Sequence, residues 1–406
     1  MNKKVMALAI AGALTAPTAA LAQVTISGSL TVLYFQHDPD NKSVGQTSDV
    51  MQSSESELTI RSEEKLGGGN SVWFQCGTSI DGWVGGNTGG NATGMCTRNS
   101  ALGFRGEFGN VFVGNWDTPT KLLQNRIRGW FSGTNALYGG GYTLLGNGAS
   151  SGQANGVGNS ASTAGAGNSA TSMYRRQANS VNYASPNWGG FSLAAAFSAA
   201  NETANIPDSV SLSPRLYGIQ GMYATGPFWV GASYEAHNDY NPGQVAIGTA
   251  AAAYNGGTDD NWTIGAGFTF QGFNVRASYS DSKYETNNNG GEIKAKGYNL
   301  YADWNIAGPH TVRAAYIALS DLSGSSVVGV GGYRPTVSAT GVDISNGTGA
   351  KAYTLVYSYA LSKRTEISAA YNVMDNDNNA SFSQGVVAAS LGGKQTSFGV
   401  AVRHSF

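Results

Sequence analysis

The chain has 406 residues, of which 12% are charged and 41% hydrophobic, with 57 glycines and only 2 cysteines. Soluble globular domains usually contain about 25% charged residues, so this composition argues against a cytoplasmic enzyme. The formal net charge of −1 gives no reason to expect nucleic acid or an anionic lipid surface as a partner.

The first residues have the pattern of a secretory signal peptide. Lys3 and Lys4 form a basic head, the apolar run 5–14 follows, and Ala20-Leu21-Ala22 provides a small-residue cleavage pattern. We therefore predict that residues 1–22 are removed. A short membrane anchor is the alternative, but the apolar run is far shorter than the roughly 20 residues that span a bilayer. No later segment has 18 uninterrupted apolar residues, so the sequence predicts no transmembrane helix.

The dominant pattern after the signal peptide is an alternation of apolar and small polar side chains. In residues 396–406, for example, Phe398, Val400 and Val402 share one face, while serine, glycine, alanine and arginine occupy the other. Successive side chains of a strand point to opposite faces, so each segment has one apolar and one polar wall. Tryptophans lie near the segment ends, which favours lipid-facing strands with aromatic girdles around a water-filled lumen. A secreted sandwich or propeller is the alternative.

The sequence predicts an all-β fold, a 16-stranded antiparallel transmembrane β-barrel over residues 23–406. An even strand number, with seven short turns alternating with eight long loops, is expected of a bacterial outer-membrane barrel whose termini lie in the periplasm. Because hydrocarbon satisfies no backbone group, the first and last strands must pair, and sixteen strands enclose an aqueous lumen. The predicted strands are 24–35, 56–65, 70–79, 98–105, 110–116, 178–185, 189–199, 216–225, 228–236, 261–270, 272–281, 294–305, 310–320, 350–361, 364–374 and 395–406.

Five blocks of sequence resemble the general porins of β-proteobacteria and Neisseria, and they follow one another in that family's order. The resemblance implies a homotrimer in the outer membrane of a Gram-negative bacterium, in contact with membrane lipid and lipopolysaccharide, with a third external loop folded into each barrel. The terminal Phe406 resembles the signal read by the barrel-assembly machinery, although an ordinary lipid-facing aromatic residue has the same appearance. The blocks are Arg61–Gly69, Asn99–Gly109, Asn179–Asn187, Tyr359–Thr365 and Val402–Phe406.

The longest predicted external loop, residues 117–177, is the candidate for the inward loop. Its first part has side chains able to pack and become ordered, whereas residues 146–172 are almost entirely Gly, Ala, Ser, Asn and Thr. Such an insert either folds over the mouth of the barrel or is disordered. Passive pores select by diameter and by the charges that ring their narrowest point, so the side chains near this loop are the candidate site.

The resemblance places an arginine cluster on the wall opposite the inward loop. Arg98 and Arg176 match two of its positions, and Glu57 matches the third with the charge reversed, which puts simple anion selectivity in doubt. By alternation Arg176 faces the lumen, whereas Arg98 faces lipid unless a bulge intervenes. Arg61 shares the face of Glu57 and is expected to reach the lumen nearer the periplasm.

The candidate loop itself is basic. Lys121, Arg126 and Arg128 stand against Asp117 alone. Basic groups on both sides of a narrow lumen would raise the local concentration of anions, which predicts a pore with a weak preference for anions such as small carboxylates. The alternative is that these basic side chains face lipopolysaccharide or solvent.

Cys76 and Cys96 border the second loop, and export into an oxidising compartment favours a disulfide between them. Two unpaired thiols are the alternative. The spacing of the cysteines, without a neighbouring histidine, does not form a metal-ligand pattern, and the sequence predicts no cofactor.

Three functional classes are compatible with these patterns. The first is a porin for passive diffusion of ions and small hydrophilic solutes, and the second is a substrate-specific channel in which Trp116, Trp130 and Phe131 line a binding track. The third is a plugged barrel whose loops bind a partner. An enzyme is not expected, because the four histidines are scattered and none sits beside a serine or carboxylate in a recognisable nucleophile arrangement.

Overall fold

A computed structural model describes fourteen stretches of the chain: residues 23–39, 48–53, 55–80, 94–129, 173–199, 215–238, 257–286, 291–325, 336–338, 341–343, 345–380, 382, 384 and 391–406. The predicted signal peptide, residues 146–172, Trp130 and Phe131 lie outside these residues. Within the described stretches, no helix combines the length and the apolar character that crossing a membrane requires.

The described residues form twenty strands and one helix, α1, which covers Pro119–Arg128. The strands are β1 (Thr25–Pro39), β2 (Ser48–Ser53), β3 (Glu57–Gly67), β4 (Asn70–Ser79), β5 (Ser100–Gly106), β6 (Gly109–Asp117), β7 (Arg176–Ala184), β8 (Phe191–Ser198), β9 (Arg215–Thr225), β10 (Phe228–Asn238), β11 (Thr258–Phe270), β12 (Phe273–Thr286), β13 (Gly291–Ala307), β14 (His310–Leu319), β15 (Ser323–Gly324), β16 (Thr336–Ser338), β17 (Gly341–Asp343), β18 (Ala350–Ala360), β19 (Thr365–Asn376) and β20 (Lys394–Ser405).

We call each strand that crosses the barrel wall a stave, and β2 and β3 together count as one. Sixteen staves form one closed antiparallel barrel. Each stave pairs with its sequence neighbour, and the pairing of β1 with β20 closes the ring, from Ser29 opposite Ser405 to Pro39 opposite Gln395. The second stave is interrupted, because β2 and β3 both pair with β1 and Glu55 and Ser56 between them are not part of a strand. The short strand β15 extends the edge of β13, and β16 pairs only with β17. The predicted 16-stranded barrel is confirmed.

The two faces of the wall have different chemistry. Along β11, Ile264 is 52% exposed, whereas its neighbours Thr263 and Gly265 are buried on the opposite face. The exposed face of the other staves is likewise rich in Val, Leu, Ile, Phe and Tyr, and the other face carries mainly Ser, Thr, Asn and Gly. In a closed barrel one face looks outward, so the apolar face meets lipid and the polar face lines the lumen.

The strands continue beyond the ends that the sequence predicts. The predicted loop 36–55 contains the end of β1 and all of β2, and the predicted loop 282–293 is mostly strand, because β12 ends at Thr286 and β13 begins at Gly291. These extensions contain Asp, Lys and Glu, which break the apolar pattern without breaking the backbone pairing. The alternation of apolar and polar side chains marks only the part of a strand that lipid covers. Strands predicted from it are therefore too short.

The chain end is part of the closure. Gly28 and Phe406 exchange both backbone hydrogen bonds, at 3.1 and 3.0 Å, one residue beyond the last pair of β20. The ring of Phe406 lies over Gly28, where an added Cβ would come within 2.7 Å of its Cζ. A role of Phe406 as an assembly signal remains a prediction.

The outward face predicts how the barrel responds to a charge. Replacing Ile264 by Arg at mid-wall should destabilise the barrel by roughly 2–4 kcal/mol, whereas Phe270→Arg beside the turn at Gln271 should cost roughly 0–1 kcal/mol. Equilibrium unfolding by urea in lipid vesicles measures both. Equal losses for the two variants would contradict the assignment of Ile264 to the middle of the lipid-facing wall.

Candidate functional site

Helix α1 begins and ends at residues suited to these positions. Thr118 caps the first turn, where its hydroxyl accepts a hydrogen bond from the Lys121 amide at 3.4 Å, and Pro119 occupies the first helical position. Gly129 ends the helix with a φ of 57°, and its amide donates to the carbonyl of Asn125. The loop predicted from residue 117 therefore starts with a rigid element.

The helix lies against the polar face of the wall. Leu123 and Ile127 are fully buried and contact Gly231 of β10 and Gly265 of β11, both of which belong to the inward face. On another face of the helix, the Tyr174 ring lies 4.8 Å from the Lys121 ammonium. The described start of the loop therefore packs against the polar face of β10 and β11.

A cluster of charged side chains lies at the start of this helix. Asp117 is the common partner in the first of its two groups. Its carboxylate forms ion pairs with Lys121 at 2.9 Å and with Arg176 at 3.2 Å. The side chain of Asn99 joins the same group, since its Nδ2 donates to Asp117 at 3.0 Å and its Oδ1 accepts from Arg176 at 2.6 Å. Asn99 was not recognised in the sequence, because an asparagine has no charge pattern.

Arg98 forms the second half of the cluster. Its guanidinium pairs with Glu55 at 2.8 Å and with Glu57 at 2.8 Å. The alternation that would turn Arg98 toward lipid is wrong here, because β5 begins only at Ser100 and residues 98 and 99 form a bend outside the strand. The bend lets the Arg98 side chain reach the inward face of β3. Glu55 escaped sequence reasoning because it occupies the interruption between β2 and β3.

The position of Arg176 in the cluster does not follow from simple strand alternation. Asn179 has a left-handed φ of 52°, and the pairing of β6 with β7 shifts register between Gly114 and Trp116. Beyond this bulge Arg176 lies opposite Asp117. A bulge shifts the alternation, so the place of Arg176 in the cluster follows from its pairing with Asp117 and not from its parity with Ser180.

The two arginines at the end of the helix have different surroundings. Arg128 is 1% exposed, and its guanidinium lies 4.7 Å from the centre of the Tyr174 ring. Arg126 is exposed, and its guanidinium lies 4.8 Å from the centre of the Trp229 ring on the wall. A solute in the lumen therefore meets Arg126, whereas Arg128 acts through the field of its charge.

Arg61 lies apart from the cluster. It is four residues beyond Glu57 along β3, about 13 Å at the rise of an extended strand. Its neighbours are Glu63 at 3.9 Å and the ring of Trp73 at 5.9 Å, and its side chain is 44% exposed. The structure therefore brings together all the candidate charged residues around the start of the loop except Arg61.

Cys76 and Cys96 form a disulfide, with their Cα atoms 4.6 Å apart. The bridge ties the end of β4 to the segment that carries Arg98, and the Cys96 amide also donates to the Thr78 hydroxyl at 3.0 Å. It therefore constrains the bend that turns Arg98 toward Glu57.

Burial and neighbouring charges shift the titration of the cluster. Burial lowers the pKa of Lys121 to about 8, against the opposing effect of the Asp117 carboxylate, and Arg176 and Arg98 add to the lowering. Burial alone would raise the pKa of Glu55, but the charge of Arg98 and its hydrogen bond outweigh it, so that pKa lies below its usual value. Near neutral pH the cluster keeps both signs of charge, with Lys121 close to its titration point.

The fold and site define a transmembrane β-barrel with a charged element inside its lumen. The model of the Gram-negative porin family matches residues 7–379. The chain belongs to the Gram-negative porin family. Family and barrel place it in the outer membrane and indicate a channel rather than an enzyme.

Individual relatives agree with this family. The chain is 28% identical over 140 residues to the major outer membrane protein P.IB of Neisseria gonorrhoeae, a match that spans 33% of this chain and only 37% of that relative. An anion-selective porin from Comamonas acidovorans is similar in fold, with 23% identity, a TM-score of 0.69 and coverage of 95% of this chain and 100% of that one. OmpT of Vibrio cholerae in a trimer form has 14% identity, a TM-score of 0.62 and coverage of 95% and 99%.

The disulfide predicts how many cysteine thiols can be labelled before and after reduction. Protein unfolded without reductant should take up no thiol-reactive mass tag, and protein unfolded after reduction should take up one tag at each of its 2 cysteines. Mass spectrometry of the intact chain gives the number. Labelling without reductant would contradict the bridge.

The pKa of Lys121 predicts a pH-dependent selectivity. As pH rises through about 8, the ammonium loses its charge, so the zero-current potential under a salt gradient should move toward cations. Lys121→Arg should lack this change because arginine stays protonated, and Lys121→Gln should show the shifted potential already at pH 7. An equal pH response of the wild type and Lys121→Arg would assign the titration to another group.

Proposed function

We propose that the protein forms a water-filled channel through which ions and small hydrophilic solutes diffuse passively, with a weak preference for anions. The proposal rests on the closed barrel with a polar inner face and on the position of helix α1 against that face. Low-dielectric walls focus the field of charges that lie inside them, so a few side chains at the narrowest point dominate selectivity.

The balance of charge around the helix is the observation that supports anion preference. Three carboxylates, Glu55, Glu57 and Asp117, are outnumbered by five cationic side chains. Each carboxylate is paired with a cation, and the exposed Arg126 adds a charge that faces the lumen. The cationic side chains are Arg98, Lys121, Arg126, Arg128 and Arg176.

We also propose that the loop of residues 117–177 narrows the lumen and forms the constriction. Its described ends support this, since α1 lies on the wall and Tyr174 holds the helix from another face. Glu57 then belongs to the constriction as the partner of Arg98, which neutralises the reversed charge at that position.

The partners that we propose are two further copies of the chain in a homotrimer, lipid and lipopolysaccharide of the outer membrane, and the barrel-assembly machinery acting on Phe406. The similar fold of OmpT, an outer membrane protein of Vibrio cholerae solved in a trimer form, supports the trimer. The terminal aromatic residue, exposed on the outside of the barrel, supports the assembly signal. Nucleic acid is not a proposed partner.

A substrate-specific channel is less well supported. Of the aromatic residues proposed for a binding track, Trp116 packs edge-on against Trp73 and Phe112, with ring centres 5.8 and 5.0 Å apart. Its ring therefore contributes to the packing of the wall. Trp130 and Phe131 lie outside the described residues.

Planar-bilayer recording tests the proposed function. The purified protein should insert as a conducting unit that closes in three steps, with an anion-side zero-current potential under a potassium chloride gradient. Absence of conductance would overturn the channel and favour a plugged barrel. A cation-side potential would overturn the anion preference and assign control to Glu57 and Asp117.

Arg126 should carry part of the selectivity. Arg126→Gln should move the zero-current potential toward cations, because it removes the charge that faces the lumen most directly. Lys363→Gln, in the exposed turn between β18 and β19, is the matched control and should leave the potential unchanged. Equal potentials for Arg126→Gln and the wild type would exclude Arg126 from the selective region.

A further inference from the structure

One face of helix α1 is formed by three apolar side chains spaced four residues apart. Pro119, Leu123 and Ile127 lie one above another on this face, and all three are buried. The first contacts β9, the second β10 and the third β11. The helix therefore crosses three consecutive staves, with one side chain on each.

Each of the three contacts falls on a glycine. Pro119 lies on Gly218, Leu123 on Gly231 and Ile127 on Gly265. An added Cβ would lie 2.8 Å from Cδ of Pro119, 2.9 Å from Cδ1 of Leu123 and 2.7 Å from Cδ1 of Ile127, respectively. Carbon atoms pack at about 3.5–4.0 Å, so an alanine at any of these positions would displace the side chain above it, or the helix that carries that side chain, by roughly 1 Å.

These glycines are required for space and not for backbone conformation. None of Gly218, Gly231 and Gly265 is among the described glycines with a positive φ, so an alanine could adopt each backbone conformation. A glycine inside a strand weakens the strand, and it commonly marks the close approach of another part of the chain. Here the approaching part is the helix.

The three glycines form a groove with larger side chains beside it. Gly231 and Gly265 lie directly opposite each other in the pairing of β10 with β11. Trp229, two residues before Gly231 on the same face, borders the groove and carries the guanidinium of Arg126 over its ring. The groove thus fixes both the position of the helix along the wall and the distance between the helix and the wall.

Arg276 fixes the far end of the helix. Its Nη2 donates to the carbonyl of Arg128 at 3.5 Å, and an added Cβ at Gly129 would come within 2.7 Å of its Nη1. An ion pair of 2.6 Å with Asp303 of β13 holds the guanidinium against the wall. The last turn of the helix therefore cannot move toward the wall without displacing Arg276, and movement toward the lumen would break the hydrogen bond to Arg128.

We propose that this glycine groove and Arg276 are positioning residues that set how far the helix projects into the lumen, and thereby set the conductance of the channel. The inference rests on the proposed function, because it assigns the constriction to α1. The depth of the groove limits the volume that the helix occupies in the lumen, so a shallower groove gives a narrower passage.

Single-channel conductance of alanine variants tests the groove. Gly231→Ala and Gly265→Ala should each lower the conductance, and the double variant should lower it further. Gly221→Ala is the matched control: it lies in β9 on the outward face, and its Cβ would meet Phe191 at an ordinary 3.7 Å. The control should conduct like the wild type, and heat-modifiable electrophoretic mobility should show that each barrel is folded.

A size-compensating variant separates steric positioning from general damage. Leu123→Ala removes the atoms that an alanine at position 231 would meet, so Gly231→Ala with Leu123→Ala should regain conductance relative to Gly231→Ala alone. This double variant also reports on the groove if Gly231→Ala alone does not fold. Folded glycine variants that conduct like the wild type would overturn the inference and leave the channel intact. Lack of conductance in the wild type would instead overturn the proposed function.

The contribution of Arg276 is tested without changing net charge. Arg276→Gln combined with Asp303→Asn removes both charges of the pair, so selectivity should change little while the open-channel current becomes noisier as the helix end moves. The matched control is Lys294→Gln with Glu292→Gln, which removes an ion pair of 2.7 Å on β13 away from the helix end. Equal noise in the two double variants would exclude Arg276 as a positioning residue.

Discussion

Every backbone amide and carbonyl inside a bilayer must find its partner within the protein, and this requirement organises the rest of the molecule. The pairing of β1 with β20 removes the last open edge of the sheet. Gly28 and Phe406 add one more pair of hydrogen bonds beyond that edge. Once the sheet is closed, one face of each strand must meet lipid and the other must face the lumen, and the two compositions of the wall follow from this.

The lumen allows a grouping of charges that lipid would exclude. Asp117 lies between Lys121 and Arg176, and Arg98 lies between Glu55 and Glu57, so each of these six charges has an opposite charge within 3.2 Å. Removing one partner of a buried pair commonly costs about 3–5 kcal/mol, because the other charge is left uncompensated. The cluster therefore stabilises the position of the loop start, while Arg126 adds positive charge that no described carboxylate pairs with within ion-pair distance.

Most of the wall was predictable from the sequence, because lipid on one side and water on the other impose alternation at every residue. The strand predicted over residues 70–79 has those bounds in the structure, and most of the others differ by a few residues. The extensions of β1 and β12 were missed where charged residues follow the strand beyond the membrane. Helix α1 was expected only as a segment able to pack, since ten residues with mixed side chains give a weak periodic signal.

The sequence by itself determined the class of fold, the number of staves and the face that each regular residue occupies, because these depend on a local repeat of two residues. The charge cluster at the start of α1 was determined only by the tertiary structure. Arg98 precedes β5 in a bend at residues 98–99, and Arg176 lies beyond the left-handed Asn179 and a register shift, so strand alternation does not extend to either. The glycines under α1 acquire their role only when the helix lies on them. Contacts between segments distant in the chain depend on the closed shape of the barrel, and a local repeat carries no information about them.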